Sequence, residues 1–126
     1  MSAIRVLLVD DEVEFTTGLS KVLRRRGFEV EVAADAAAGL ALATRGCFDV
    51  ALLDVKMPGM DGIQLLTEMK RVAPSIQVIL MTGHLSVADE TDGMKTGAVA
   101  YLLKPHPLPE LVDMIQKAAG RSRASS

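Results

Sequence analysis

One cysteine, Cys47, stands among the 126 residues, so the chain has no internal disulfide and no multi-thiolate metal site. It is expected to be a small, partly buried apolar residue. No basic stretch leads into an apolar signal core, because Ile4–Val9 is short and runs straight into acids. No apolar run approaches membrane-spanning length. The net charge of −2 gives no global pull toward nucleic acid or anionic membrane, so neither is an expected partner. These absences leave a reducing cytoplasmic setting as the default expectation. What is present is globular: 49% hydrophobic and 24% charged residues, in a length suited to one domain with a real core. Only Arg121–Ser126 is basic and poor in apolar residues. The expected organisation is one domain over residues 1–120, with 121–126 as a frayed polar tail or linker stump.

Short apolar runs alternate with segments of helical period. After Ile4–Val9, the residues Phe15, Leu19, Val22 and Leu23 share one helix face, and Arg24-Arg25-Arg26-Gly27 supplies cations and a glycine to end it. Glu29–Val32 alternates with period two, as an edge strand with one wet face does. An alanine-rich helix follows over about Ala36–Thr44, stopped by Gly46. The run Val50–Leu53 precedes a turn-rich loop, Lys56–Gly62, and then a helix marked by Leu65, Leu66, Met69 and Val72, ending before Pro74. Val78–Met81 leads to a weaker helix over about Ser86–Thr96. Ala100–Leu103 leads to a last helix striped by Leu108, Leu111, Val112 and Ile115. Strict strand–helix alternation predicts an α/β fold: a doubly wound, five-stranded parallel sheet with helices on both faces. The runs at Val6, Ala51 and Ile79 read as central strands, and the second and fifth as edges.

Right-handed crossovers bring the strand C-terminal ends to one sheet edge, where ligands bind in such folds. Asp10 and Asp11 end the first run there, Asp54 the third, Thr82 the fourth and Lys104 the fifth. A strand-end carboxylate such as Asp54 can attack a phosphoryl group and hold it as an acyl phosphate. Phosphoryl transfer needs in-line positioning and neutralised equatorial oxygens. A hard cation such as Mg2+ does this with a few carboxylates and waters. Lys104 adds a point charge and Thr82 a hydroxyl donor.

These residues resemble the receiver domain of two-component response regulators, the chemotaxis-regulator type included, over roughly Ile4–Ala119. The family's acidic pair matches Asp10-Asp11, its phospho-accepting aspartate Asp54, its hydroxyl Thr82 and its lysine–proline pair Lys104-Pro105. Its Met-Pro-Gly-Met-Asp-Gly loop matches Met57–Gly62 residue for residue. The resemblance implies a flavodoxin-like sheet of order 2-1-3-4-5 and a phosphoryl group delivered by a sensor histidine kinase or histidine phosphotransfer protein. It implies Mg2+, or Mn2+ in its place, held by Asp11, Asp54 and the backbone carbonyl of Lys56, with Asp10 acting through a water. A cis bond before Pro105 would aim Lys104 into the cleft. Tyr101 resembles the switch aromatic, turning into space that Thr82 vacates and reshaping the surface of the fourth helix, fifth strand and fifth helix. That surface is where a second copy or an output partner is expected. The resemblance also implies a domain that assists its own transfer and hydrolysis and is not an enzyme acting on a separate substrate.

Other readings fit less well. A haloacid-dehalogenase-type phosphatase needs an aspartate two residues after its nucleophile, and here that residue is Lys56. A flavodoxin-type flavin binder needs a hydroxyl- and glycine-rich loop where Asp10-Asp11-Glu12 stands. The alternative within the family is a degenerate receiver working as a phosphorylation-independent binding module, although such domains typically lose a cleft residue. Asp61 reads as a turn residue or helix cap, and Met57 and Met60 as loop packing. Individual features are His106-Pro107, where an aromatic is usual, and an acidic fourth helix with Asp89, Glu90, Asp92 and Gly93, expected to be among the most mobile elements. Lys56 and His84, each two residues beyond a cleft residue, are expected to set the lifetime of the phosphorylated form.

Overall fold

Strand β1 (Arg5–Val9) is buried from Val6 onward on both faces, so its sequence is a continuous apolar run rather than an alternation. The computed structural model describes residues 3–125. After β1 come α1 (Val13–Arg25), β2 (Glu29–Ala33), α2 (Ala36–Arg45), β3 (Val50–Asp54) and α3 (Gly62–Val72). The chain continues as β4 (Gln77–Thr82), α4 (Val87–Thr96), β5 (Ala100–Leu103) and α5 (Leu108–Ser125). The five strands are all parallel, in the order β2-β1-β3-β4-β5. The order reverses beside β1, and this switch point opens a crevice at the carboxyl ends of β1 and β3.

Successive side chains on each strand enter opposite layers. Val6, Leu8, Leu52, Ile79 and Met81 pack with Leu23 of α1 and Leu111 and Ile115 of α5. Leu7, Val9, Leu53 and Leu80 pack with Leu65, Leu66 and Met69 of α3 on the other side. The edge strands are wetter, as their patterns predict: Val30 is buried while Val32 lies open at the sheet margin. No described helix is long and apolar enough to cross a membrane.

Local signals set most helix ends. Gly27 has φ +93° just past α1, and Gly97, at φ +120°, caps α4 with its N–H on the Gly93 and Met94 carbonyls. Asp35, Asp61 and Ser86 accept from backbone N–H groups in the first turns of α2, α3 and α4. Asp61 is thus a helix cap.

Two expectations are corrected. Cys47 is exposed, not partly buried. Residues 121–125 are not a frayed tail, because α5 runs on to Ser125. Ser122 is buried, and the Arg123 guanidinium donates to both Asp49 carboxylate oxygens at 3.1 Å and to the Ala3 carbonyl at 2.9 Å. Asp49 also accepts from the Arg5 N–H, so one carboxylate joins the last turns of α5 to the starts of β1 and β3.

Gly93 has a use that helix propensity hides. A Cβ there would lie 2.4 Å from Cδ1 of the fully buried Leu80, so the missing side chain lets α4 approach β4. Gly93→Ala gains about 0.5–1 kcal/mol of helix propensity but overpacks the site at a cost of about 1–3 kcal/mol. The expected result is a net loss of about 1 kcal/mol in urea unfolding. A more stable variant would mean that Leu80 repacks freely.

Candidate functional site

The ladder that builds the sheet also sets the site. The Asp10 N–H bonds to Ala33 O, Val55 N–H to Met81 O, and Lys104 N–H to Thr82 O. Each strand therefore stays paired up to the residue that turns into the cleft. Asp54 is the last residue of β3, opposite Met81, and Thr82 ends β4 opposite Leu103. Asp10, Asp54 and Thr82 are all buried at this edge.

The side chains meet around one ammonium group. Lys104 Nζ lies 2.8 Å from Asp10 Oδ2 and 3.6 Å from Asp54 Oδ2, and it also bonds Glu12 Oε1. The ring of Phe15 covers it at 4.9 Å. The lysine side chain is only 6% exposed. Two backbone turns hold the buried acids: Glu12 N–H donates to Asp10 Oδ1 at 2.9 Å, and Lys56 N–H donates to Asp54 Oδ1 at 3.1 Å. The Lys104–Pro105 peptide is cis.

Asp10, Glu12 and Asp54 each offer an oxygen within 4.8 Å of the others, the one such acidic group among the described residues. Asp11, expected as a direct metal ligand, is exposed and stands outside this group, while Glu12 stands inside it. Glu12 is the residue that the sequence pattern underrates. The signal was a third acid after the expected pair, but adjacency alone does not say which carboxylates fold inward.

Electrostatics follow from this packing. Burial pushes the Asp54 carboxyl up to about 6, and the fields of Asp10 and Asp11 add to it; the Lys56 N–H and the Lys104 charge oppose. Burial would lower the Lys104 pKa, yet its hydrogen bonds to Asp10 and Glu12 and the field of Asp54 hold it above the ordinary value. One ammonium faces three carboxylates, an excess of hard oxygen donors that suits a divalent cation.

The remaining expected residues surround this centre. Thr82 Oγ1 donates to the His84 carbonyl at 3.0 Å and accepts from the His84 N–H at 3.1 Å. Tyr101 is partly buried against the α3 layer, and its hydroxyl accepts from the Ser86 N–H at 3.2 Å. The side chains of Lys56 and His84 are exposed. Met57 is buried in the loop and Met60 packs against the same core, as loop packing requires. His106 Nε2 lies 3.5 Å from Glu110 Oε2, away from the cleft cluster.

Known proteins are similar to this chain in sequence and in fold. Residues 6–116 match the family described as the response regulator receiver domain. The chain is 38% identical to the transcriptional regulatory protein PrrA of Mycobacterium tuberculosis over 122 residues, 97% of the chain and 52% of PrrA. It spans about half the length of that relative and about a quarter of other curated transcriptional regulators it matches. A CheY-like receiver domain from Methanospirillum hungatei superposes with a TM-score of 0.93 at 32% identity, covering 99% of this chain and all of that one. A Burkholderia pseudomallei response regulator, solved with a phosphorylated aspartic acid, a calcium ion and citrate, gives 0.85 at 27% identity, covering 97% of this chain and 72% of that one. Sheet order, strand-end chemistry and relatives agree over nearly the whole length: the chain belongs to the response regulator receiver domains of two-component signalling.

Proposed function

We propose that Asp54 accepts a phosphoryl group from a phosphohistidine of a sensor kinase or phosphotransfer protein, and that the surface of α4, β5 and α5 carries the resulting state to a partner. The supporting observation is a buried strand-end carboxylate with a lysine ammonium 3.6 Å from one of its oxygens. An Asp54 oxygen attacks phosphorus, the P–N bond to the donor imidazole breaks, and the imidazole leaves and takes up a proton from solvent. Hydrolysis reverses the load: water attacks phosphorus, the P–O bond to Asp54 breaks, and inorganic phosphate and the carboxylate return.

Mg2+, or Mn2+ in its place, supplies charge neutralisation at the phosphoryl oxygens when bound. The family pattern assigns it Asp11, Asp54 and the Lys56 carbonyl, with Asp10 through a water. The carboxylates grouped with Asp54 here are Asp10 and Glu12. Lys104 neutralises a second phosphoryl oxygen. For Thr82 to turn toward the phosphoryl group it must give up both contacts with the His84 backbone. That frees the loop carrying Ser86, which the Tyr101 hydroxyl holds at the start of α4. A phosphoryl group that binds one arrangement better shifts the population toward it. The exposed Lys56 and His84 side chains flank the path of attacking water and set the lifetime.

Acetyl phosphate with Mg2+, followed by intact-mass measurement, tests the acceptor. Wild type is expected to gain one phosphoryl group, chelation to prevent the gain, and Asp54→Asn to show none. An equal gain in wild type and variant sinks the assignment.

A further inference from the structure

The reaction described above needs Lys104 on the phosphoryl group, yet in this structure Lys104 is already held elsewhere. Its ammonium bonds Asp10 and Glu12 and lies farther, at 3.6 Å, from Asp54. Asp10 is a buried acid at the end of β1. Glu12 differs: its side chain is 61% exposed, so it reaches inward from the N-cap position of α1 to meet a nearly buried ammonium. Phe15, one turn farther along α1, lays its ring over the same ammonium at 4.9 Å. The start of α1 thus meets Lys104 through both Glu12 and Phe15.

We infer that Glu12 is a positioning residue that tethers Lys104 in the unphosphorylated domain and must release it for phosphoryl transfer. The inference rests on Asp54 being the acceptor. A tether present before transfer and absent when Lys104 binds the phosphoryl group stabilises only the starting state, and so it raises the barrier. Lys104 cannot keep Glu12 and also take a phosphoryl oxygen: three carboxylate groups already surround its three N–H donors. Removing the tether therefore speeds transfer, although it removes an acid from the cleft.

The size of the effect follows from the exposure of Glu12. A partly solvated ion pair contributes modestly, so Glu12→Gln is expected to raise the maximal phosphorylation rate by about three- to fivefold at saturating Mg2+. Weaker repulsion of an anionic donor would also speed the reaction, and two comparisons separate the causes. Glu14→Gln removes an exposed acid two residues farther along and reports the general field effect. In a Lys104→Met background, Glu12→Gln is expected to have no effect beyond that of Glu14→Gln. A second readout needs neither donor nor metal. In metal-free wild type the Lys104 ammonium should give a slowly exchanging 15N–1H nuclear magnetic resonance signal, lost in Glu12→Gln.

A rate that is unchanged or slower in Glu12→Gln, a rise that persists without Lys104, or an ammonium signal that survives the substitution overturns the tether. If Asp54→Asn still takes up phosphoryl groups, the underlying reading fails instead, and the two failures are told apart by that one variant.

Discussion

Asp54→Asn is expected to gain about 2 kcal/mol of stability at pH 7 in the metal-free protein, while losing phosphoryl uptake altogether. The gain comes from the same burial that equips the site. In the folded chain the Asp54 carboxyl titrates at about 6, against 3.8 ordinarily, because burial and the neighbouring acids disfavour its charge. Between those values the folded state holds the proton more tightly than the unfolded state. Stability therefore falls as pH rises from about 4 to about 6 and then stays level. The interval between 3.8 and about 6 corresponds to roughly 3 kcal/mol if fully realised. Water at the cleft mouth screens part of it, which leaves about 2 kcal/mol. Asparagine keeps an oxygen for the Lys56 N–H and discards the charge. Urea unfolding followed by far-ultraviolet circular dichroism, with chelator, should show the two proteins converging near pH 4, separating between about pH 4 and about 6, and keeping a constant difference above it. A wild type as stable as the variant at pH 7 would mean that Lys104 neutralises the site more fully than its 3.6 Å distance implies. Mg2+ should narrow the difference.

Gly62→Ala should be the most damaging single methyl in the molecule, costing about 3 kcal/mol. A Cβ at this position would lie 2.5 Å from the Asp54 carbonyl oxygen and 2.7 Å from Val55 Cα. Both are backbone atoms, at the end of β3 and just past it, so neither can rotate away as a side chain can. The Gly62 N–H also donates to Val55 O at 2.7 Å, which seats the N-terminus of α3 directly on the acceptor loop. Relief of the clash must move either α3 or Asp54. Because phosphoryl transfer depends on in-line placement, a shift of about 1 Å slows it by about 100-fold. Gly18→Ala is the matched control: it lies within α1 and its Cβ would meet nothing within 4 Å. It should stabilise the protein by about 0.5–1 kcal/mol. If Gly62→Ala unfolds at the wild-type urea concentration and takes up phosphate at the wild-type rate, the close approach is not a constraint.

The cleft was legible in part because strand ends can be read locally. Asp54, Asp10, Thr82 and Lys104 each close an apolar run, and a parallel sheet sends such ends to one edge. The third acid could not be placed in this way. Asp11 and Glu12 are adjacent, and only the position of Lys104, more than ninety residues downstream, decides that Glu12 turns inward. Gly93 was read as a weak point in α4, because propensity concerns the isolated helix; its contact with Leu80 exists only once α4 lies on the sheet. The chain beyond residue 120 looked like a tail, because a serine- and arginine-rich stretch carries no periodic apolar face. Asp49, whose carboxylate anchors Arg123, is 74 residues away.

The sequence by itself determined the elements and their layers. Burial on two faces, one face or one stripe writes a continuous, alternating or helical apolar pattern, and that pattern is a property of neighbours along the chain. It also determined which strand ends carry chemistry, through residues that do not belong in a core run. Only the tertiary structure decided which acid holds Lys104, which glycine is a contact and that α5 runs on past Gly120. Those outcomes are pairings between distant segments, fixed by sheet order and register after the chain has folded.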